Sequence, residues 1–358
     1  MKKEFLKGNE AMAEAAVRAG CRFFAGYPIT PQNEIPEHLS RRLFEVGGEF
    51  VQAESEVAAS YMVYGSSMTG TRCMTSSSGC GLALKAEGIG YITGARLPAV
   101  VINVGRGGPG LGQILPSQQD YLSATKAPSN GGARAFVLAP SNVQEAVDLV
   151  YEAFDIADKY RCVCYVLTDG VIGNMMEGVV LPEMRDLSSL PDKSDWVVTK
   201  RGPGPNTQFG NKRIITSWQN TGEELEATNQ VFADMLEGWK ANETRYEAYQ
   251  MDDAEVVFAA YGTSARVAKT VVNKMRAEGI KAGLLRPITL FPFPEKPFEA
   301  LDAAKVKKVI CLEMSIPGQL IEDVRAFVDK KIPVEHFGRS GGVILKPEEA
   351  YEASKKML

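Results

Sequence analysis

The sequence predicts an α/β protein with a mostly parallel sheet, followed by a second and smaller α/β domain. Over roughly the first half of the chain, short apolar segments alternate with segments of helical periodicity. The apolar segments, such as Leu97–Val104, are nearly continuous, which is typical of strands buried on both faces. The alternation weakens from about Gly170 to Gln250 and returns at Glu255, so the chain of 358 residues divides into two α/β regions.

Capping residues, glycines and prolines set the predicted elements of the first region. Asn9 is predicted to cap a helix over Glu10–Ala19. Pro36 is predicted to distort or restart a helix over Pro31–Phe44, and Ser141–Gln144 matches a capping box that opens a helix to about Lys159. The other predicted elements are strands at Cys21–Gly26, Glu49–Ala53, Thr71–Ser76, Leu97–Val104, Ala133–Ala139 and Cys162–Leu167, a helix at Glu54–Met68, and a helix that follows Gly81 and runs through Ile92.

The second region follows a long predicted connector with helical pieces. Arg201–Asn206 is rich in turn residues, and Glu223–Tyr249 predicts one or two polar helices. The later predicted elements are strands at Glu255–Tyr261, Ala282–Leu285, Val306–Leu312 and Val334–Phe337, a helix carrying Val267, Val271 and Met275 on one stripe, and helices at Pro317–Asp329 and Pro347–Lys355. The predicted domains are therefore 1–185 and 251–358, with the connector at 186–250.

Composition excludes several classes of partner. The net charge is −4 and no basic block stands out, so we expect neither nucleic acid nor an anionic membrane as a partner. We expect no signal peptide, no membrane span and a cytoplasmic location. The six cysteines lie singly and none forms C-x-x-C, which is typical of a reducing compartment. With two histidines and no cysteine-rich run, we expect no metal site in this chain.

The segment Tyr27–Pro31 is a stiffened turn at the end of a predicted strand. Pro28 and Pro31 fix their own backbone and push their neighbours away from helix, so Thr30 is held rigidly. Ligands usually bind at the carboxyl ends of such strands, which makes Thr30 a candidate ligand contact. From this segment alone, a simple helix-capping role for Thr30 is favoured.

Glycines crowd a later strand end, where Gly105–Gly110 matches G-x-G-x-x-G. As a dinucleotide fingerprint it is weak, because Pro109 and Pro116 oppose the helix that should follow. A glycine loop that presents Arg106 to a carboxylate or phosphate is the better interpretation, with a solvent-facing arginine as the alternative.

Two carboxylates, Glu54 and Glu56, stand where a strand gives way to a helix. Residues two apart on a helix do not face the same way, so at most one is expected to point into the mouth of the sheet. A carboxylate at a helix start also compensates the helix dipole without any chemistry. The segment Ser117–Asp120 is predicted to be a helix start that capping explains.

Taken together, these segments resemble the alpha subunit of the 2-oxoacid:ferredoxin oxidoreductases. The likeness spans nearly the whole chain, and Tyr-Pro-Ile-Thr-Pro is its most specific motif. Within the family the chain is most similar to the 3-methyl-2-oxobutanoate (2-ketoisovalerate) enzyme, with the 2-oxoglutarate enzyme close behind. The matching segments are Gly8–Ala11, Gly20–Phe24, Gly26–Pro31, Glu54–Glu56, Thr75–Gly79, Gln118–Asp120 and Thr263–Pro294.

The resemblance implies a fold and a division of labour. The first domain would be the pyrimidine-binding domain of a thiamine diphosphate enzyme, and the last a transketolase C-terminal-like domain. A beta subunit would hold the diphosphate and Mg²⁺; Thr168–Gly170 is this chain's nearest approach to the expected Gly-Asp-Gly motif. Gamma and ferredoxin-like subunits would complete the complex, with [4Fe-4S] clusters on other subunits, CoA as cosubstrate and ferredoxin as acceptor.

The resemblance also implies roles for individual residues. Glu56, with Glu54 as the fallback, would hydrogen-bond the pyrimidine ring of the cofactor. Thr30 would contact the substrate near its reacting carbon, and Arg106 would pair with the substrate carboxylate. Cofactor contacts would also come from Pro28, Ile29, Ser78 and Gly79.

The expected activity is oxidative decarboxylation of a 2-oxoacid with CoA to acyl-CoA, CO₂ and reduced ferredoxin. A branched-chain substrate is the first expectation and 2-oxoglutarate the second, because the sequence does not specify the pocket. Two functions of other classes stay open: an NAD(P)-binding oxidoreductase that uses the glycine loop, and an assembly subunit without a catalytic role.

Overall fold

The computed structural model describes residues 3–198 and 213–358, and these residues form two sheets flanked by helices, together with a two-stranded ribbon. The strands are β1 (Glu4–Lys7), β2 (Phe23–Gly26), β3 (Glu49–Gln52), β4 (Cys73–Ser77), β5 (Ala99–Gly107), β6 (Gln113–Pro116), β7 (Phe136–Leu138), β8 (Val163–Asp169), β9 (Met176–Val179), β10 (Tyr246–Tyr249), β11 (Val256–Ala259), β12 (Ala282–Pro287), β13 (Thr289–Phe291), β14 (Lys308–Glu313) and β15 (Val334–Gly338). The helices are α1 (Gly8–Arg18), α2 (Glu34–Glu45), α3 (Glu56–Met68), α4 (Cys80–Gly94), α5 (Tyr121–Thr125), α6 (Val143–Tyr160), α7 (Gly170–Asn174), α8 (Gly222–Asn242), α9 (Gly262–Ala277), α10 (Glu295–Glu299), α11 (Leu320–Phe327) and α12 (Pro347–Met357).

The larger sheet has the order β13-β7-β8-β5-β4-β2-β3, with β6 paired to β5. Its strands are parallel except for β13 and β6, which run antiparallel to their neighbours. The carboxyl ends of β2, β4, β5 and β8 therefore meet at one edge of the sheet, the usual place for ligands in α/β proteins. The mostly parallel α/β fold expected from the sequence is confirmed.

The smaller sheet has the order β10-β12-β11-β14-β15, with β10 as its antiparallel edge strand. Strand β13 follows β12 directly along the chain but pairs with β7 of the larger sheet. The chain thus returns to the first sheet before it completes the second. The β1–β9 ribbon is antiparallel and pairs Glu4 with Val179.

Both faces of the larger sheet are covered by helices. On β5, Val100 packs in a cluster with Val150 of α6, whereas its neighbour Val101 packs in another cluster with Val63 of α3. This alternation follows from the two-residue period of a strand, and it explains why the strands are nearly continuous apolar runs. Among the described residues, no helix is long and apolar enough to span a membrane.

Two predicted helix starts differ from the structure. Asn9 lies inside α1 rather than capping it, and its buried side chain donates to the Pro31 carbonyl and to Glu34, both at 2.8 Å. Helix α2 begins at Glu34, so Thr30 is not its cap. The helix begins only two residues before Pro36, which agrees with the predicted restart; Pro36 lies in the first turn, where a missing N–H costs nothing.

The predicted capping box is displaced by one residue. Asn142 caps α6, with its side chain accepting from the Glu145 N–H at 2.8 Å, and Glu145 accepts from the Ser141 N–H in return. Residues Tyr246–Tyr249 form an edge strand instead of helix, and ordered elements occupy part of the predicted connector. The turn-rich segment at 201–206 lies outside the described residues.

Candidate active site

Helix α3 presents Glu56 at the mouth of the larger sheet. Ser55 caps this helix, with its Oγ accepting from the Ala58 N–H at 3.1 Å, so Glu56 is the first helical residue. Its side chain turns inward and the residue is 7% exposed, whereas Glu54 is exposed before the helix begins. The two carboxylates that the sequence left as alternatives thus differ in burial: Glu56 is buried and Glu54 is exposed.

Three side chains converge on Gly81 in the first turn of α4. A Cβ at this position would lie 2.8 Å from Glu56 Oε1, 2.3 Å from Ser77 Oγ and 3.2 Å from Ile29 Cδ1. Only glycine leaves space there, which brings the ends of β2 and β4 close to the start of α3. Among the described residues, the buried Ser77 hydroxyl has no hydrogen-bond partner.

Arg106, at the end of β5, is held over this region and is 5% exposed. Its Nη1 donates to the Thr30 carbonyl at 3.0 Å, and its Nη2 donates to the Leu111 carbonyl at 3.1 Å and to Cys80 Sγ at 3.2 Å. The buried Nε has no partner among the described residues. The arginine is therefore a buried residue at this strand end and not a solvent-facing loop residue, and one of its N–H donors is unpartnered.

The Tyr27–Pro31 turn is held by a buried side chain on one side and is exposed on the other. Tyr27 and Pro28 are exposed, while Ile29 and Thr30 are half-buried. Gln32 anchors the turn, because its side chain accepts from Ser76 and donates to the Tyr27 carbonyl at 3.4 Å. Thr30 thus stands beside the Arg106 guanidinium on a turn with defined geometry.

Ser78 and Gly79 link β4 to α4. The buried Ser78 Oγ donates to the Val104 carbonyl at 2.7 Å, so this hydroxyl is occupied in joining two strands. Gly79 has a φ of 48°, in the region that favours glycine, and precedes the first residue of α4. A Cβ at Gly79 would lie 3.3 Å from the Arg106 Nε.

The glycine loop does not have the architecture of a dinucleotide-binding motif. Strand β5 continues through Gly107, and the chain returns as β6 to pair antiparallel with it. No helix starts in this loop, so no helix N-terminus is available to a pyrophosphate.

A cleft of about 270 Å³ lies between α4, α5 and the glycine loop. Small apolar side chains form most of its wall, and its polar lining includes the buried Asn103 and the half-buried Asp120. Asn103 Nδ2 donates to Asp120 at 3.0 Å. Burial raises the pKa of Asp120, against the hydrogen bonds from Asn103 and Gly79 and the charge of Arg106.

Two other groups at the site were missed by sequence reasoning. Lys85 of α4 is fully buried, and its Nζ donates to Thr75 Oγ1 at 2.8 Å. Burial lowers the pKa of Lys85 to about 8, although the charge of Glu56 acts in the opposite direction. The available sequence signal was a lysine in a helix of mostly small and apolar residues, where Glu87 is the one other charged residue.

The other is Gln118, which connects the two sheets. Its Nε2 donates to the Tyr261 carbonyl at 2.9 Å, and its Oε1 accepts from Ser264 at 2.6 Å and from the Met314 N–H at 3.0 Å. A helix starts directly after Ser117–Asp120, as expected, but capping does not explain the segment, because Asp120 makes no side-chain capping hydrogen bond.

Asp169, the acid of the nearest Gly-Asp-Gly-like segment, has a structural role. Its carboxylate accepts from the Val171 N–H at 2.9 Å and from Thr263 Oγ1 at 2.8 Å. It caps α7 and also ties that helix to α9 of the second sheet.

The two α/β layers and the matches to family models together identify a thiamine diphosphate-binding type of protein. The model described as pyruvate flavodoxin/ferredoxin oxidoreductase, thiamine diphosphate-binding, matches residues 14–243. Core domain II of pyruvate:ferredoxin oxidoreductase matches residues 254–350. The chain belongs to this oxidoreductase family.

Characterised relatives match over their full length. Ketoisovalerate oxidoreductase subunit VorB of Methanothermobacter thermautotrophicus is 45% identical over 357 residues, which is 100% of this chain and 98% of the relative. 2-Oxoglutarate synthase subunit KorA of Methanocaldococcus jannaschii is 34% identical over 368 residues, which is 99% of both chains.

Solved structures share the fold. The 2-oxoglutarate:ferredoxin oxidoreductase from Magnetococcus marinus, with 2-oxoglutarate, coenzyme A and succinyl-CoA bound, superposes with a TM-score of 0.84 at 25% identity. The superposition covers 99% of this chain and 65% of that one. A split-gene transketolase superposes with a TM-score of 0.57 at 13% identity, covering 98% and 97% of the two chains.

Proposed function

We propose that this chain is the alpha subunit of a 2-oxoacid:ferredoxin oxidoreductase and contributes the pyrimidine half of its thiamine diphosphate site. The reaction converts a 2-oxoacid, CoA and two oxidised ferredoxins into acyl-CoA, CO₂, a proton and two reduced ferredoxins. The observation that carries the proposal is the buried Glu56 carboxylate beside Gly81, at the carboxyl edge of a parallel sheet.

The residues at this edge fit the aminopyrimidine of thiamine diphosphate. A flat heterocycle needs a cradle without side chains, and Gly81 provides one. A ring nitrogen needs a carboxylate partner, and Glu56 is buried and directed at that cradle. The unpartnered Ser77 hydroxyl offers a further polar contact, and Ile29 gives an apolar one.

In the proposed reaction each residue of this chain has a defined task. Thiamine diphosphate, when bound, supplies the nucleophilic carbon and the electron sink for decarboxylation. Glu56 accepts and returns a proton at the pyrimidine ring nitrogen through its carboxylate. Arg106 binds the substrate carboxylate with its free Nε–H, and the Thr30 hydroxyl orients the oxygen on the neighbouring carbon.

We also propose that a beta subunit holds the diphosphate and Mg²⁺. Within residues 3–198 and 213–358, no group of three or more histidine, cysteine or acidic side chains is arranged to hold a metal ion. Asp169 is already engaged as a helix cap. Gamma and ferredoxin-like subunits carrying [4Fe-4S] clusters would then pass the electrons to ferredoxin, in a cytoplasmic complex.

For the substrate we propose a branched-chain 2-oxoacid, of which 2-ketoisovalerate is the first candidate. The support is the 45% identity to the ketoisovalerate subunit, against 34% to the 2-oxoglutarate subunit. Relative kcat/KM values for 2-ketoisovalerate, 2-oxoglutarate and pyruvate test this choice.

The decisive experiment is reconstitution of the complex with its beta, gamma and ferredoxin-like subunits, followed by 2-oxoacid-dependent viologen reduction. Glu56→Gln and Glu54→Gln form a matched pair, since both change the same functional group two residues apart. We expect the Glu56 variant to lose activity by a factor of about 10² or more and the Glu54 variant to retain it. The reverse result would assign the role to Glu54.

The two alternatives of other classes make different predictions. An NAD(P)-binding oxidoreductase requires tight NADH binding by the chain, and the antiparallel return of β6 argues against it. An assembly subunit would leave the complex active after substitution of Thr30, Glu56 and Arg106 together.

A further inference from the structure

The glycine loop between β5 and β6 sets the position of the Arg106 guanidinium. Within this loop the Leu111 carbonyl accepts from Arg106 Nη2 at 3.1 Å, so a shift of the loop backbone moves one support of the arginine. Glycine occupies four of the six positions 107–112, and a glycine backbone is free to adopt many conformations. The loop therefore needs contacts from other segments to hold a single conformation.

The Gln119 side chain supplies one of these contacts. Its Oε1 accepts from the Gly108 N–H at 3.1 Å, eleven residues earlier along the chain. Gly108 is the second glycine of the loop and lies three residues before Leu111, whose carbonyl meets Arg106. A single side chain thus ties the middle of the loop to the segment that precedes α5.

Gln119 is itself held by Gln319, which directly precedes α11 of the second α/β region. Gln319 Nε2 donates to the Gln119 carbonyl at 2.7 Å, and Gln319 Oε1 accepts from the Leu122 N–H at 2.9 Å. The Gln319 backbone is anchored in turn, because its N–H donates to the buried Glu313 carboxylate at 2.8 Å. One amide side chain of the second region therefore fixes the segment that carries Gln119.

A second segment of the same region packs directly on the loop. A Cβ at Gly342 would lie 2.5 Å from Leu115 Cβ, and a Cβ at Gly107 would lie 3.2 Å from the carbonyl carbon of Gly341. The backbones of the two segments thus approach too closely for side chains between them. Two separate parts of the second region therefore hold the β5–β6 hairpin.

We propose that Gln119 is a positioning residue for substrate binding: together with Gln319 it holds the glycine loop so that the Leu111 carbonyl keeps Arg106 in place for a substrate carboxylate. The inference rests on the proposed function, because it takes Arg106 as the group that binds this carboxylate. Gln119 touches neither substrate nor cofactor in this scheme and acts only through the loop. The second α/β region thereby takes part in binding the 2-oxoacid.

Substitutions at Gln119 separate its hydrogen bond from its bulk, and Gln144 offers a matched control. Gln119→Met keeps a similar size but loses the acceptor for the Gly108 N–H, whereas Gln119→Glu keeps an acceptor oxygen. Gln144 Oε1 also accepts a backbone N–H, from Val180 at 2.7 Å, but it lies on α6, which covers the other face of the larger sheet. Gln144→Met should therefore lose a comparable hydrogen bond without changing substrate binding.

The test measures steady-state viologen reduction by the reconstituted complex, with 2-ketoisovalerate and CoA varied separately. We expect Gln119→Met to raise the KM for 2-ketoisovalerate by about 5- to 10-fold, the range for one lost hydrogen bond. Its kcat and its KM for CoA should stay close to the wild-type values, because only substrate binding is weakened. Gln119→Glu should lie closer to the wild type than Gln119→Met. An unchanged KM in Gln119→Met, an equal rise in the KM for CoA, or an equal defect in Gln119→Glu would overturn the proposal.

A double-variant cycle tests the route through the second region. Gln319→Met removes the donor to the Gln119 carbonyl and should also raise the KM for 2-ketoisovalerate. Because both residues act through one loop, the double variant Gln119→Met with Gln319→Met should raise KM by less than the product of the two single effects. The full product, or an unchanged KM in Gln319→Met, would contradict the inference, while thermal melting of each variant beside Gln144→Met verifies its fold. A wild-type complex that turns over no 2-oxoacid would instead refute the proposed function, and this inference with it.

Discussion

The position of the Glu56 side chain requires glycine at residue 81: the Glu56 Oε1 atom lies 2.8 Å from the position that a Cβ at residue 81 would occupy. Contacts shorter than about 3.0 Å to such a carbon do not occur in folded proteins, so the carboxylate and the glycine are compatible only as this pair. The candidate site therefore requires both the Glu56 carboxylate and the absence of a side chain at Gly81.

Gly81→Ala should remove thiamine diphosphate binding while leaving the fold intact. The added methyl group would also meet Ser77 Oγ at 2.3 Å, so the Glu56 carboxylate must turn out of the cradle. We expect binding by the reconstituted complex to weaken by about 100-fold or more, as for loss of a charged hydrogen bond. Isothermal titration calorimetry measures it.

The matched control is Gly65→Ala in the neighbouring helix α3. A Cβ at Gly65 meets nothing within 4 Å. Alanine is a better helix former, so this variant should gain up to about 1 kcal/mol of unfolding free energy. If both alanine variants lose cofactor binding to the same degree, the cradle interpretation is wrong.

Arg106→Lys should raise the KM for the 2-oxoacid far more than it changes kcat. The planar guanidinium of Arg106 donates to the Thr30 and Leu111 carbonyls and still has a free Nε–H. A lysine keeps the positive charge but lacks this planar set of donors. We expect KM to rise by about 10- to 100-fold, measured by steady-state viologen reduction. Arg41→Lys, on an exposed position of α2, serves as the control and should leave KM unchanged.

Lys85→Met should make the isolated chain more stable at pH 7. Burial lowers the pKa of Lys85 to about 8 from 10.5, so between these pH values the unfolded chain binds more protons and wild-type stability rises with pH. Below pH 8 the full cost of the buried charge is present, and its removal should gain up to about 3 kcal/mol. The advantage should shrink as the pH rises toward 10.5.

Chemical denaturation of the variant and the wild type at a series of pH values checks this sign. A methionine has a similar volume and needs no hydrogen-bond partner, so packing changes little. A variant that is less stable than the wild type at pH 7, with the same pH slope, would contradict it.

Glu14→Gln should destabilise the α1–α2 pair that supports the Thr30 turn. Burial would raise the pKa of Glu14, but hydrogen bonds from His38, Arg18 and Arg42 lower it to about 2. Its stabilising contribution is therefore complete above pH 4.5 and is lost as the pH falls toward 2. We expect the variant to lose about 1–3 kcal/mol at pH 7 and to approach wild-type stability near pH 2.

Equilibrium unfolding across this pH range measures the effect. Glu45 pairs with the same Arg42 at 3.0 Å but is exposed, so Glu45→Gln should cost at most about 0.5 kcal/mol. Equal losses in the two variants would mean that the buried network around Glu14 adds nothing beyond a surface ion pair.

The candidate site could be predicted in part because its motifs are local. Tyr27–Pro31 is a contiguous segment, and its prolines fix the turn wherever the chain places it. The choice between Glu54 and Glu56 was not accessible, because it depends on which residue Ser55 caps and on what α4 packs against. The prediction of Thr30 as a helix cap failed because the chain runs four residues further before α2 begins.

Lys85 and Gln118 were missed for a common reason. Each is a polar residue whose partners lie in other elements: Lys85 of α4 donates to Thr75 of β4, and Gln118 bonds to Tyr261 and Met314 beside the second sheet. A pattern of neighbouring residues carries no information about such contacts. The pairing of β13 with β7 escaped prediction on the same ground.

The sequence by itself determined the α/β class, most strand positions and the family, because apolar runs and rigid turn motifs act over a few residues. The tertiary structure decided which groups meet. Parallel strands bring their carboxyl ends to one edge, so Ile29, Glu56, Gly81 and Arg106 become neighbours although up to 77 positions separate them. Only that packing buries the Glu56 carboxylate and the Arg106 guanidinium, because each is covered by residues far from it along the chain.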